Sequence, residues 1–297
     1  MLHGSVVALV TPMFPDGSVD YASFEKLIDW HLTQGTHGFV ILGTTGESAT
    51  IQESERSQLI CLALKTARGK VPIVVSAGAN ATSHTVALTQ NALELGADAV
   101  LLVTPYYNKP TQEGLYRHYE FIAKSVSIPQ ILYNVPSRTG CDLLPETVAR
   151  LSRFSNIVAI KEATPNITRL KQLLALQIPM DFLSGDDNIA LEFILSGGKG
   201  VISVAANIVP NLMVRLCMAA LQYDQILADN INKQLASLYT ALCLESNPIP
   251  VKWALQKMGL IQSGIRLPLT LLSETHHAHL LSAMQLANLS FQKDIDS

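Results

Sequence analysis

Apolar positions along the chain follow two alternating patterns. Short runs rich in Val, Ile and Leu recur eight times, and the stretches between them repeat apolar residues at the 3.6-residue spacing of a helix, as Phe24, Leu27 and Ile28 do. Near-continuous apolar runs are typical of strands that are buried on both faces. The predicted strands span residues 5–10, 38–42, 71–76, 99–103, 130–133, 157–161, 181–183 and 200–204.

This alternation predicts an α/β fold of a particular kind. Strands that alternate with helices pair in parallel through helical crossovers, and eight such units match the (β/α)₈ TIM barrel. An open doubly wound sheet is the alternative, but it would carry a G-x-G-x-x-G turn after its first strand, where Thr11-Pro12 stands here. Beyond residue 204 the strand pattern stops, and helices are predicted over residues 212–222, 226–245, 250–258 and 275–289.

We therefore expect a barrel domain over residues 1–224 and a small helical appendage over residues 225–297. Hydrophobic residues make up 48% of the chain and charged residues 15%, below the roughly 25% of an average soluble protein, which indicates a large interior. The net charge of −3, without a basic cluster, argues against nucleic acid or an anionic membrane surface as a partner.

Cysteine spacing and the N-terminal pattern bear on the compartment. The four cysteines show no C-x-x-C spacing, so neither a zinc site nor a redox motif is predicted. No apolar stretch approaches the roughly 20 residues of a membrane span, and the first residues lack the basic start of a signal peptide. We expect a cytoplasmic protein with reduced thiols and no metal.

The sixth predicted strand ends in Lys161, at the end where barrel enzymes carry their chemistry. Alternation along a strand places Ala159 and Lys161 on one face, and Val158 and Ile160 on the face toward the covering helices. A lysine at a strand end ordinarily extends into solvent. The loops at the same end of the barrel favour another role for this one.

Three loops, which follow the second, fourth and fifth predicted strands, lie at that end. Residues 43–48, Gly-Thr-Thr-Gly-Glu-Ser, combine glycines, hydroxyls and backbone N–H groups in a turn that suits an anion, either a phosphate or a carboxylate. Residues 104–110 and 133–140 add tyrosines, and the second of these loops adds Arg138. With Lys161 they supply an amine, phenols for proton transfer and a guanidinium for anion recognition.

These segments resemble the dihydrodipicolinate synthase family of class I, pyruvate-dependent aldolases, over nearly the whole chain. The resemblance implies a lyase that condenses pyruvate with L-aspartate 4-semialdehyde, the first committed step of diaminopimelate and lysine biosynthesis, without metal or nucleotide cofactor. The matching motifs are Val10-Thr11-Pro12, residues 43–50, Gly78-Ala79-Asn80-Ala81-Thr82, residues 104–110 and 133–140, Lys161-Glu162-Ala163, Ser184-Gly185-Asp186-Asp187 and Pro248-Ile249-Pro250-Val251-Lys252-Trp253.

The resemblance also implies the catalytic roles. Lys161 would form a Schiff base with the pyruvate ketone, and Tyr133 would be the general acid and base. Thr45 and Tyr107 would relay protons. In the family the residue matching Tyr107 reaches the active site of the adjacent subunit, which implies a homo-oligomer, typically a tetramer built as a dimer of dimers.

Substrate binding is implied in the same way. Thr44 and the Thr45 backbone would hold the pyruvate carboxylate, and Arg138 would hold the carboxylate of the semialdehyde. Gly185 and Ile202 match positions that line the pocket.

Many members of the family are inhibited by lysine at the dimer interface. Two positions depart from the pattern of sensitive members: His84 stands where a carboxylate commonly pairs with the ammonium, and Arg56 stands where a histidine is common. Glu53 could compensate in part, so we expect weak or absent inhibition. The residues that match the family's lysine site are Ser48, Ala49, Asn80 and Tyr106.

Two alternatives remain at this stage. N-acetylneuraminate lyase and 2-keto-3-deoxy sugar acid aldolases would use the same Lys161 and Tyr133, but a polyol requires several polar groups, whereas Arg138 suits a short acidic aldehyde. A non-catalytic barrel that binds a keto acid would be expected to have lost the amine or a relay phenol.

Overall fold

The computed structural model describes residues 2–289 and contains a closed barrel of eight parallel strands. Each strand pairs with the next in chain order, and the last pairs with the first. All eight predicted strands are present, with ends within two residues of those expected, and the predicted (β/α)₈ barrel is confirmed. The strands are β1 (Gly4–Ala8), β2 (Gly38–Ile41), β3 (Ile73–Ser76), β4 (Ala99–Val103), β5 (Gln130–Asn134), β6 (Ile157–Glu162), β7 (Asp181–Ser184) and β8 (Gly200–Ser203).

Helices follow the strands and surround the barrel. A short 3₁₀-helix, Ala205–Asn207, comes directly after β8. The α-helices of the described residues are α1 (Tyr21–Thr33), α2 (Glu53–Ala67), α3 (Thr82–Leu95), α4 (Gln112–Ser125), α5 (Pro136–Thr139), α6 (Pro145–Leu151), α7 (Ile167–Ala175), α8 (Ala190–Leu195), α9 (Pro210–Leu221), α10 (Gln225–Ala241), α11 (Ile249–Lys257) and α12 (Glu274–Leu286).

The helix predicted over residues 226–245 ends earlier, at Ala241. The N–H groups of Cys243 and Leu244 donate to carbonyls three residues back, those of Thr240 and Ala241, so the chain tightens and leaves the helix. The segment that follows α10 thereby passes over the mouth of the barrel. The other predicted C-terminal helices are present, with ends that differ by at most three residues.

Side chains of the barrel strands divide into two apolar layers. One fills the barrel interior and contains Val6, Val74 and Leu183, whereas the other lies between the strands and the helices. The prediction that Val158 faces the helices was wrong. The register between β5 and β6 is irregular beside it, so Val158 packs against the interior layer with Ala159.

The C-terminal helices share a core with the barrel. Leu216 of α9, Leu235 of α10 and Leu280 of α12 belong to one continuous buried cluster. We propose that residue 224 marks the boundary of the barrel in chain order, and that the barrel and the helices after it form one packed unit. Between residues 2 and 289 no helix combines the length and the apolar character of a membrane span.

Candidate active site at the mouth of the barrel

Lys161 lies at the carboxyl end of β6, where the barrel opens into a cavity of about 260 Å³. Strand register places Tyr133 of β5 and Leu183 of β7 on either side of it. The lysine is only 7% exposed, and its Nζ lies 4.3 Å from the centroid of the Tyr133 ring. It therefore points into the cavity instead of extending into solvent.

Burial changes the acidity of this amine. Removal from water lowers the pKa of Lys161 to about 8, the Asp187 carboxylate opposes that shift, and the Arg138 guanidinium adds to it. At pH 7 about one amine in ten is then neutral, against about one in 2,500 for a free lysine with a pKa near 10.4. A lysine in this position is a competent nucleophile at neutral pH.

Tyr133 is buried beside the lysine. Burial raises the pKa of its phenol to about 12, while Arg138 and a hydrogen bond with the Thr44 side chain partly counter the shift. The phenol therefore stays protonated at neutral pH and can donate or exchange a proton.

The threonine side chain that acts on the pKa of the Tyr133 phenol is that of Thr44, although the resemblance implied Thr45 as the relay threonine. Thr45 makes a different contact, in which its Oγ1 accepts a hydrogen bond of 2.9 Å from Nδ2 of Asn247. We propose that the relay role assigned to Thr45 belongs to Thr44 instead. The reason is that adjacent residues in a tight turn point their side chains in different directions.

The turn after β2 holds both threonines through its own hydrogen bonds. The N–H groups of Gly46 and Ser48 donate to the Gly43 carbonyl, and that of Glu47 donates to the Thr44 carbonyl. Within residues 2–289 the N–H groups of Thr44 and Thr45 donate to no protein acceptor, so they remain free for an anion. Only part of the predicted anion-binding turn is thus available.

Gly185 lies directly against the lysine. A Cβ atom there would stand 2.7 Å from the Ala163 Cβ and 3.0 Å from the Lys161 Cε, so a side chain would displace the amine. Gly185 and Arg138 both line the cavity, as predicted. Ile202 is 1% exposed in the barrel interior and is not among the residues that line the cavity.

Tyr107 lies outside the cavity of its own chain. Its side chain is 88% exposed, and its backbone has a φ of +76°, a conformation that L-residues rarely adopt. The structure therefore does not bring Tyr107 together with Lys161 and Tyr133 within one chain.

Several cavity residues received no role in the sequence analysis, among them Asp187 and three residues of the C-terminal helical region. Asp187 has a carboxylate whose Oδ2 accepts from the N–H groups of Val204 and Ala205, at 3.0 and 2.8 Å, while its buried Oδ1 has no partner within residues 2–289. The Asp187 carboxylate stabilises the charged form of Lys161 and so raises the pKa of that amine. The other three come from the C-terminal helices and the segment between them, namely Tyr239, Cys243 and Asn247.

A second cavity, of about 410 Å³, lies beside the first and shares Arg138 with it. Arg56 is 8% exposed there, and its guanidinium donates to the Ser76 carbonyl. Asn80 is not among the residues that line this cavity, although its carbonyl accepts a hydrogen bond from Asn108 nearby. The other residues of the predicted lysine site line this cavity, as do the positions where this chain differs from lysine-sensitive members of the family. They are Ser48, Ala49, Glu53, His84 and Tyr106.

Fold and site together place the protein among the (β/α)₈ barrels that carry a buried lysine where the barrel opens. The chain belongs to the dihydrodipicolinate synthetase family, whose model matches residues 1–287. It is 56% identical over 285 residues to the 4-hydroxy-tetrahydrodipicolinate synthase of Coxiella burnetii. The aligned region covers 96% of this chain and 98% of that protein.

Solved structures agree with this assignment. One is the chloride-inhibited dihydrodipicolinate synthase of Acinetobacter baumannii, which was solved in complex with pyruvate. It is 50% identical to this chain and superposes with a TM-score of 0.96, and the match covers 98% of this chain and 100% of that one. The synthase of Cyanidioschyzon merolae, solved with lysine bound, is 34% identical with a TM-score of 0.93, covering 97% and 99% of the two chains.

Proposed function

We propose that the protein is a lyase that condenses pyruvate with L-aspartate 4-semialdehyde to 4-hydroxy-tetrahydrodipicolinate, the first committed step toward diaminopimelate and lysine. The observation that carries the proposal is the buried Lys161 amine, with a pKa of about 8, beside the phenol of Tyr133. Identities of 50–56% to synthases over nearly the whole chain support the choice of reaction.

The reaction begins at the amine. Neutral Lys161 attacks the pyruvate ketone, and the carbinolamine loses water to give an imine, with Tyr133 protonating the departing hydroxyl. The iminium draws electrons from the methyl group, which loses a proton to the Tyr133 phenolate left by the dehydration and so forms an enamine. The enamine carbon attacks the aldehyde carbon, and the new alkoxide takes a proton from Tyr133. The α-amine of the second substrate then attacks the imine carbon and releases Lys161.

In this proposal Thr44, whose side chain acts on the pKa of the Tyr133 phenol, holds and replenishes the proton of that phenol. The free N–H groups of Thr44 and Thr45 bind the pyruvate carboxylate in this proposal, together with the Thr45 hydroxyl. Arg138, which lines the cavity at its mouth, offers a planar pair of donors to the carboxylate of the semialdehyde.

Assays on separate substrates test the function. When pyruvate and aspartate semialdehyde are supplied together, both should be consumed. N-acetylneuraminate and 2-keto-3-deoxy sugar acids, supplied separately, should release no pyruvate. Replacing Arg138 with Leu should raise KM for the semialdehyde at least about tenfold and leave KM for pyruvate nearly unchanged. Pyruvate release from a sugar acid, without condensation, would identify an aldolase of the related group, and the absence of all turnover would identify a binding protein.

We also propose a homo-oligomer, at least a dimer and typically a dimer of dimers. The exposed, conformationally strained Tyr107 supports this, because a phenol held in that way on the surface can enter the cavity of a second copy. Sedimentation velocity of the purified chain should show a dimer or tetramer at micromolar concentration.

We propose a location in the cytoplasm. The free state of Cys61, Cys141, Cys217 and Cys243 supports this location.

L-Lysine is expected to inhibit weakly, with half-inhibition above about 1 mM, which corresponds to only about 4 kcal/mol of binding. The second cavity presents the guanidinium of Arg56 and the imidazole of His84 where an ammonium group needs an anion. Burial lowers the pKa of Arg56 to about 10, so this residue stays cationic at neutral pH.

A matched pair of variants checks that explanation. His84→Glu should lower the half-inhibiting lysine concentration at least about tenfold, because it supplies a carboxylate, whereas His84→Gln should leave it unchanged. Strong inhibition of the wild type, well below about 1 mM, would show that Glu53 or another group already provides the anion.

A further inference from the structure

Asn247 lies in the segment between α10 and α11 and lines the active-site cavity. It is separated from the turn after β2 by some 200 residues of chain, yet its side-chain amide donates to the Thr45 hydroxyl oxygen at 2.9 Å. This bond joins the C-terminal helices directly to the proposed binding site for pyruvate.

A hydroxyl group has one proton to donate and two lone pairs with which to accept. Because Thr45 Oγ1 accepts from Asn247, its single proton stays available for another partner. Within residues 2–289 that proton is donated to no protein acceptor, and Thr45 lines the cavity at 2% exposure. The bond from Asn247 thus sets the polarity of the hydroxyl: donor toward the cavity, acceptor toward the helices.

The segment that carries Asn247 is anchored a short distance further along the chain. Lys252 of α11 forms a buried ion pair with Glu47, two residues after Thr45, with side-chain exposures of 5% and 1%. The other carboxylate oxygen of Glu47 accepts from the Arg266 N–H at 3.1 Å. Three links therefore hold this turn against the C-terminal part of the chain: Asn247 to Thr45, and Lys252 and Arg266 to Glu47.

We infer that Asn247 is a positioning residue for the pyruvate carboxylate, which acts by holding the Thr45 hydroxyl as a hydrogen-bond donor into the cavity. The inference deepens the proposed function and rests on it, since it assumes that Thr45 meets a carboxylate. It assigns part of the pyruvate site to the C-terminal helical region, through a residue that need not touch the reacting atoms.

Asn247→Asp and Asn247→Ala separate this role from simple packing. An aspartate has nearly the same shape but only accepts hydrogen bonds, so the Thr45 hydroxyl would turn its proton to it and present lone pairs to the carboxylate. We expect the pyruvate concentration at half-saturation to rise about 10- to 100-fold in Asn247→Asp and less in Asn247→Ala. If Asn247 only fills space, the order is reversed, because alanine leaves the larger gap.

The measurement is reductive trapping of the imine on Lys161 by borohydride, followed by intact mass as pyruvate is varied. Ser246→Ala, which changes an exposed neighbour, is the matched control and should behave as the wild type. Pyruvamide, a neutral analogue of pyruvate, should be trapped at similar concentrations in the wild type and in Asn247→Asp, because it carries no carboxylate for Thr45 to bind.

A double-mutant cycle tests whether Asn247 acts through Thr45. In a Thr45→Val background, Asn247→Ala should change half-saturation by less than about twofold, since the hydroxyl that it positions is gone. Additive effects would overturn the inference, as would unchanged half-saturation in Asn247→Asp. If the wild type gives no pyruvate adduct on Lys161 at all, the proposed function itself fails, which is a separate result.

Discussion

Replacing Lys161 with alanine is expected to lower kcat/KM by at least about a thousandfold, because the amine forms the covalent intermediate in the proposed reaction. The loss should not come from unfolding. Since burial lowers the pKa of Lys161, its charged form is disfavoured in the folded protein, and the alanine variant should unfold at the same or a higher temperature near pH 7.

The wild-type pH profile gives an independent check on the same residue. Below its pKa of about 8 the amine is protonated and cannot attack, so kcat/KM for pyruvate should fall about tenfold for each pH unit on the acid side.

Borohydride with pyruvate should label Lys161 in the wild type and in Lys109→Ala, a control that removes an exposed lysine near the mouth. Labelling of another lysine, or an active Lys161→Ala variant, would contradict the assignment.

The second large effect is expected on stability. Lys252→Met should lower the free energy of unfolding by about 3–5 kcal/mol, because it leaves the Glu47 carboxylate buried without its cationic partner. Among residues 2–289, only the Arg266 N–H would remain as a donor to that carboxylate. The change should also weaken pyruvate binding, since Glu47 belongs to the same turn as Thr45.

Urea unfolding at one fixed protein concentration measures this effect, because assembly makes apparent stability depend on concentration. Lys124→Met is the matched control: Lys124 pairs with Glu120 on α4, but its side chain is 64% exposed, so the loss should stay below about 1 kcal/mol. Glu47→Leu combined with Lys252→Met should be more stable than Lys252→Met alone, because no uncompensated charge is then buried. Equal losses at the buried and exposed pairs would refute this view of the Glu47–Lys252 pair.

Much of the candidate site could be predicted because its residues follow strands. A side chain in the last residues of a parallel barrel strand, or just after it, must lie at the carboxyl end of the barrel, so Lys161, Tyr133 and Arg138 could be assigned to one opening from chain order alone. Which hydroxyl meets Tyr133 could not be assigned in this way. Thr44 and Thr45 are neighbours in one turn, and only the dihedral angles of that turn decide that the Thr44 side chain acts on the phenol while the Thr45 hydroxyl accepts from Asn247.

The amino-acid sequence by itself determined the eight strands, the helices between them and the strand end that carries the lysine. These features follow from short continuous apolar runs and from the 3.6-residue period between them, which are local properties of the chain. Only the tertiary structure decided the inward turn of Val158, the lowered pKa of Lys161 and the contact of Asn247 with Thr45. Each of these depends on strand register, on burial or on a contact across some 200 residues, and such quantities exist only once distant segments have packed together.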